Sequence, residues 1–191
     1  MESFLQDDSD TITILSIDPG TIRLGFSIFK LSIKDLEIAE AFAWTIEATR
    51  LDFYREDIVQ VYGEKFARII AIKKMFKNIL EFYRPLSVVC ESPFFNMARP
   101  SAAGPLYELL ATIEQTVFEW DNQKPLYKVE PKTVKKAVGA SANAKKDEVR
   151  IAVSKVKELQ CACLDYLDEH AIDAIAVGYA YINLTLRSKK E

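Results

Sequence analysis

Three carboxylates stand where burying a charge is most costly. Asp18 closes the apolar run Thr11-Ile-Thr-Ile-Leu-Ser-Ile-Asp18, and Glu91 closes a second, Leu86-Ser-Val-Val-Cys-Glu91. Asp173 lies in His170-Ala-Ile-Asp173, at the head of an apolar stretch. An acid against a buried strand is unfavourable unless it is paired or binds a metal. Residues three apart on a helix share a face, so His170 and Asp173 can address one ion. The chemistry such a set serves is phosphodiester hydrolysis, which needs an activated water and a stabilised leaving oxygen. Two metal ions about 3.5–4 Å apart provide both. Magnesium takes hard oxygen ligands and keeps several waters, so a few carboxylates suffice, and a neutral imidazole can add a ligand.

Each residue also has a plainer reading. Asp18 precedes Pro19-Gly20, a turn dipeptide, and an Asp there often serves the turn. His170 and Asp173 could cap a helix or favour its N-terminal dipole. His170 is the only histidine, which excludes a His-rich zinc site and any two-His ligand set. The metal reading rests on the set rather than on any member.

The elements that must position these groups read as mixed α/β. Thr11–Asp18 is β-branched and apolar, as a buried strand is. Leu24–Leu31 and Glu37–Ile46 follow after short gaps, which predicts an antiparallel meander. Residues 55–83 predict one long helix, with Ile69, Ile72, Phe76, Ile79 and Tyr83 at helical spacing and Arg84-Pro85 as its end. A strand leads to Glu91. A loop is expected over 93–105, then a helix with Ala102, Leu106, Leu109, Ile113 and Val117 on one stripe, a core or dimer face. Leu126–Val129 is a fifth strand. Helices follow from Pro131 with a break near Gly139–Asn143, and the last runs from about His170 to about Leu186. A helical crossover implies parallel pairing of the strands ending at Asp18 and Glu91. Both carboxylates then emerge at one sheet edge, where α/β sheets usually place ligands.

At 191 residues the chain suits one domain, residues 11–191, after a loose tail over 1–10. Apolar residues make up 49% and charged residues 28%, as in soluble globular proteins. The acidic N-terminus is no signal peptide, and no stretch approaches a membrane span, so no membrane role is expected. Cys90, Cys161 and Cys163 suggest reduced thiols and a cytoplasmic, non-secreted protein. Cys161-x-Cys163 lacks the second pair that a zinc site needs.

Net charge is −3, against the basic footprint usual for a DNA binder. Yet Lys124–Lys157 holds ten basic residues against three acidic ones. Within it, Lys132, Lys135, Lys136, Lys145, Lys146 and Arg150 are candidate phosphate contacts, giving affinity that falls with salt and reads no sequence. A solvated helical face is the bland alternative. Phe94 and Phe95 form an apolar loop that could stack on unpaired bases, with Phe95 expected in the core.

Four blocks in order resemble the RuvC-like Holliday junction resolvases. Ile14-Leu-Ser-Ile-Asp-Pro-Gly-Thr-Ile-Arg-Leu-Gly-Phe-Ser-Ile28 resembles their first-strand motif, and Cys90-Glu-Ser-Pro-Phe-Phe95 their second acidic motif. Pro131-Lys-Thr-Val-Lys-Lys-Ala-Val-Gly139 through Ala144-Lys-Lys-Asp-Glu-Val149 resembles their basic segment, and His170-Ala-Ile-Asp-Ala-Ile-Ala-Val177 their C-terminal motif. The resemblance implies an RNase H-like fold with a five-stranded mixed sheet flanked by helices, a homodimer, and paired nicks across a four-way DNA junction. It implies the metal ligands Asp18, Glu91, His170 and Asp173, the position of His170 being Asp or His in the family. It places Lys135 and Lys146 near the scissile phosphate and Phe94 at the junction centre. Two Mg2+ ions per site, replaceable by Mn2+, would leave 5′-phosphate and 3′-hydroxyl ends, with Asp18 bridging them. Ser92-Pro93 and the acidic tail depart from the family pattern, as in a divergent viral or phage member acting in the host cytoplasm.

Three other functions compete. One is an RNase H-like nuclease acting on flaps, forks or RNA-containing substrates. A second is an ATP-binding protein of the actin or sugar-kinase kind, which shares Asp-x-Gly-Thr but needs two domains and more Gly-rich loops than six glycines allow. A third is a catalytically silent junction binder, disfavoured by the complete ligand set.

Overall fold

The computed structural model describes the backbone of residues 10–92 and 100–189, and the side chains within them except those of 100–103 and 189. The expected tail, apart from Asp10, and the loop bearing Phe94 and Phe95 lie outside the described residues. The strands are β1 (Thr11–Asp18), β2 (Arg23–Ser32), β3 (Ile38–Glu47), β4 (Ser87–Glu91) and β5 (Leu126–Val129). They form one mixed sheet in the order β3-β2-β1-β4-β5. The first three pair antiparallel, while β1–β4 and β4–β5 are parallel. Ile17 lies opposite Cys90 in the parallel pair, so Asp18 and Glu91 leave neighbouring strand ends at the same edge.

Strand alternation decides which face they take. Leu15 and Ile17 face one core, with Ile72, Phe76 and Ile79 of α2 (Glu64–Tyr83) and Leu109, Ile113 and Val117 of α3 (Pro100–Trp120). Ile14 and Val89 face the other, with Ala171, Ile172, Ile175 and Ala176 of α6 (Glu169–Tyr181). Asp18 and Glu91 share the parity of Ile14 and Val89 and therefore face α6. On this side α4 (Pro131–Ala137) and α5 (Lys146–Lys155) pack over α6. Sandwiched between them and the sheet, α6 is apolar nearly all round, as a fully buried helix must be.

Small residues let α6 lie close against the sheet. The buried hydroxyls of Ser16 and Ser27 both donate to the carbonyl of Ala174, at 2.8 and 3.2 Å. A Cβ at Gly178 would stand 2.3 Å from Phe29 and 2.5 Å from Ser16 Oγ, and one at Gly25 would stand 2.0 Å from the His170 carbonyl oxygen.

Three expected boundaries shift. The helix over 55–83 is two helices, α1 (Glu56–Tyr62) and α2, because Gly63 at φ +83° cannot continue the turn. Arg84 ends α2 in the left-handed region, at φ +44°. The predicted loop over 93–105 is helical from Pro100, with Pro105 inside the helix. The last α-helix ends at Tyr181, and Ile182–Leu186 continues as one wider turn. The stripe on α3 is core at Leu109, Ile113 and Val117.

Gly25→Ala should destabilise the fold by about 3 kcal/mol, the upper range for overpacking, since backbone rather than a flexible side chain blocks the new methyl. Chemical denaturation measures this; a loss under about 1 kcal/mol would mean that α6 is not pinned at Gly25.

Candidate active site

Asp168 sets the start of α6. Its carboxylate accepts from the Ala171 amide at 3.0 Å as an N-cap and also accepts from the Thr45 hydroxyl, tying the helix start to β3. These bonds outweigh burial and hold its carboxyl below the usual range. With the cap on Asp168, neither His170 nor Asp173 caps the helix.

His170 then turns toward β1, its Nδ1 lying 3.1 Å from Asp18 Oδ2. The hydrogen bond to Asp18 is the main cause that raises the imidazole above its ordinary value. Asp173 follows one turn on. Burial, and then the charge of Asp18, pushes its carboxyl up to about 6. Burial, then Asp18 and Asp173, pushes Glu91 up to about 7, while Lys135 and Lys146 oppose the rise. The charge of Asp18 thus acts on Glu91, His170 and Asp173 alike.

A cleft of about 690 Å³ opens beside them, lined by Glu91, Asp173, Lys132, Lys135, Asn143, Lys145 and Lys146. Lys146 Nζ lies 3.0 Å from Glu169 Oε2. Burial works to lower the Lys146 ammonium, but Glu169, with Asp173 and Asp18 behind it, raises it above its usual value. Lys135 donates to the Ala144 carbonyl at 2.8 Å, bracing α4 against the turn before α5. Arg150 donates to the Leu167 carbonyl and is held within the fold. Lys136 lies on α4 and is not part of the cleft wall. A second cavity, with Phe26, Trp44 and Tyr83 in its wall, lies beyond Asp168 on the other side of the sheet edge. The sequence reading did not single out Asp168, Glu169 or Gly25. The signal for Asp168 was present, as an Asp directly before a helical apolar run; Gly25 had none, because its neighbour is distant in sequence.

Among the described residues no three His, Cys, Asp or Glu side chains close into a ready ligand shell. The acidic set nevertheless fits a hard divalent cation. Its donors are carboxylate oxygens plus one imidazole, and the mutual repulsion that raises Glu91 and Asp173 is what a cation would relieve.

Comparison with known proteins agrees with this architecture. The sequence profile of the family described as "Crossover junction endodeoxyribonuclease RuvC" matches residues 14–181. The chain belongs to this family of endodeoxyribonucleases. The RuvC of Cytophaga hutchinsonii is 23% identical over 145 residues, 75% of this chain but 64% of that protein, so the match spans less than two thirds of its length. The solved RuvC structure of Thermus thermophilus superposes with a TM-score of 0.64 at 22% identity, covering 89% of this chain and 93% of that one. The yeast mitochondrial Holliday junction resolvase gives 0.59 at 11% identity, over 93% and 80%. At these identities the RuvC and resolvase structures support the fold: the five-stranded mixed sheet with helices on both faces.

The raised carboxyls predict an unusual pH response. Folded Glu91 and Asp173 keep protons up to about 7 and about 6, where the unfolded chain, at the ordinary 4.5 and 3.8, has lost them. Their contribution to stability is complete below the ordinary values and is lost as pH rises through 6 and 7. The metal-free protein should therefore lose melting temperature through these groups from about pH 4 to about pH 7, and Mg2+ should restore most of it. Glu91→Gln should flatten the metal-free profile and weaken the Mg2+ response. A wild-type profile unaffected by Mg2+ would remove the cation site.

Proposed function

We propose that this chain resolves four-way DNA junctions by metal-dependent hydrolysis, as a homodimer making two symmetric nicks. The observation that carries the reading is the convergence of Asp18, Glu91, His170 and Asp173 at one sheet edge beside a lysine-lined cleft. Family membership supports the reaction class. The solved Thermus thermophilus RuvC bound to a Holliday junction substrate, with a TM-score of 0.64 at 20% identity, shares the fold.

The residues divide the work. Asp18, on the strand between Glu91 and the α6 pair, would hold the cations together with Glu91, Asp173 and His170. Two Mg2+ ions held there, with Mn2+ as substitute, would supply the activated water and the charge that stabilises the leaving 3′-oxygen, giving 5′-phosphate and 3′-hydroxyl ends. Lys146 has its ammonium free of the backbone and within the acidic field, so it neutralises charge developing on the phosphate. Lys135, already bonded to the Ala144 carbonyl, acts mainly by fixing the cleft wall and by its charge. Lys132, Lys136 and Lys145 contribute phosphate affinity without sequence preference. Arg150 is bound to the Leu167 carbonyl, so its part is to hold α5 in place. Two copies related by a two-fold axis match a substrate needing two equivalent cuts.

One gel tests the reading: a four-way junction, a Y-fork, linear duplex and an RNA–DNA hybrid, each with Mg2+ or Mn2+. Preferential paired nicking of the junction is expected. Equal cutting of duplex would reject a resolvase, and preference for the hybrid would favour an RNA-directed nuclease. Asp18→Asn should abolish cutting while keeping junction binding. His170→Asp should retain much of the Mg2+-dependent activity where His170→Ala loses it. Lys146→Ala should lower kcat by about a hundredfold or more, the usual effect of removing one charge-stabilising donor.

A further inference from the structure

Glu169 is the first residue of α6 and does not cap it, since Asp168 does. Its carboxylate is divided instead between two groups of the site. Oε2 lies 3.0 Å from Lys146 Nζ, and Oε1 lies 3.6 Å from His170 Nε2, just beyond hydrogen-bond length. The opposite ring nitrogen, Nδ1, is 3.1 Å from Asp18. The imidazole therefore lies between two carboxylates, hydrogen-bonded to the one at the centre of the acidic set and within ion-pair range of the one outside it. The side chains of Glu169 and Lys146 are 53% and 60% exposed, so their ion pair adds little to stability. What it fixes is position, bringing α5 and α6 together at the cleft.

We propose that Glu169 is a positioning residue, holding the Nε2–H of His170 so that Nδ1 faces Asp18 and the cation site, and holding Lys146 above the same site. This rests on the reading of His170 as a cation ligand. A histidine that binds a metal through one nitrogen generally donates the other N–H to a carboxylate, carbonyl or water, and losing that partner costs about 10–100-fold in metal affinity. Here one carboxylate serves both the ligand and the cation that meets phosphate. An Asp in place of His170 would have no ring N–H to hold, so this half of the role belongs to a chain that carries His there.

Because His170 is the chain's only histidine, its ring nitrogen signals in nitrogen-15 NMR need no residue assignment, and couplings to the two ring C–H protons tell Nδ1 from Nε2. In metal-free wild-type protein below neutral pH, both should be visible and protected from solvent exchange. In Glu169→Ala the Nε2–H signal should be lost to rapid exchange while Nδ1–H, bonded to Asp18, persists. Mg2+ affinity, read from the same spectra, should fall about tenfold or more. Lys146→Ala, which spares the Glu169–His170 contact, should keep both signals. Unchanged Nε2–H protection in Glu169→Ala, or Mg2+ affinity within about twofold of wild type, would overturn the proposal. If wild-type His170 does not respond to Mg2+, the cation reading fails, and the exchange comparison in metal-free protein still decides the role of Glu169.

Discussion

The close approach of α6 to β1 and β2 is the constraint on which the site depends. A buried helix normally stands off a sheet by the length of its side chains. Here Gly25, Ser16, Ser27, Ala174 and Gly178 remove that length, and two serine hydroxyls bond a helix carbonyl instead. The result brings His170 to the carboxylate of Asp18 and sets Asp173 one helical turn further along. Larger residues at these positions would keep every functional side chain in the sequence and separate them in space.

This packing imposes an electrostatic penalty on the fold. Three carboxylates and their neighbours occupy a partly desolvated edge, and burial together with mutual repulsion raises two of them well above ordinary values. The nearby cations relieve it incompletely. Lys146 is shared with Glu169, and Lys135 is bonded to a carbonyl while still opposing the rise at Glu91. Such a site is poised to accept positive charge. The same arrangement reconciles a net charge of −3 with the DNA contact proposed above. In that proposal the acidic cluster would hold the cations, and the lysines of α4, α5 and the turn between them border it along the cleft.

Much of this was legible in order along the chain. The strands ending at Asp18 and Glu91 announced themselves as apolar runs with an acid at the end, because burial on both faces removes the polar alternation. The parallel pairing followed from the helical crossover. The helix boundaries were less legible. Gly63 divides a region whose apolar spacing continues across it, and Pro105 sits inside a helix because its local preference to break one weighs less than the packing of Leu109, Ile113 and Val117. The Phe94 loop, which the resemblance places at the junction centre, lies outside the described residues.

The sequence by itself determined the sheet, the four metal-site candidates and the basic segment, since these depend on residue type, periodicity and motif order. Tertiary structure decided which side chains are engaged with which. It assigned the helix cap to Asp168, tied Lys135 to the Ala144 carbonyl, and placed Glu169 between Lys146 and His170. Contacts of this kind join residues on separate elements through distances of a few ångströms. No local pattern encodes them, because they exist only once α5 and α6 have packed and α6 has settled on the sheet.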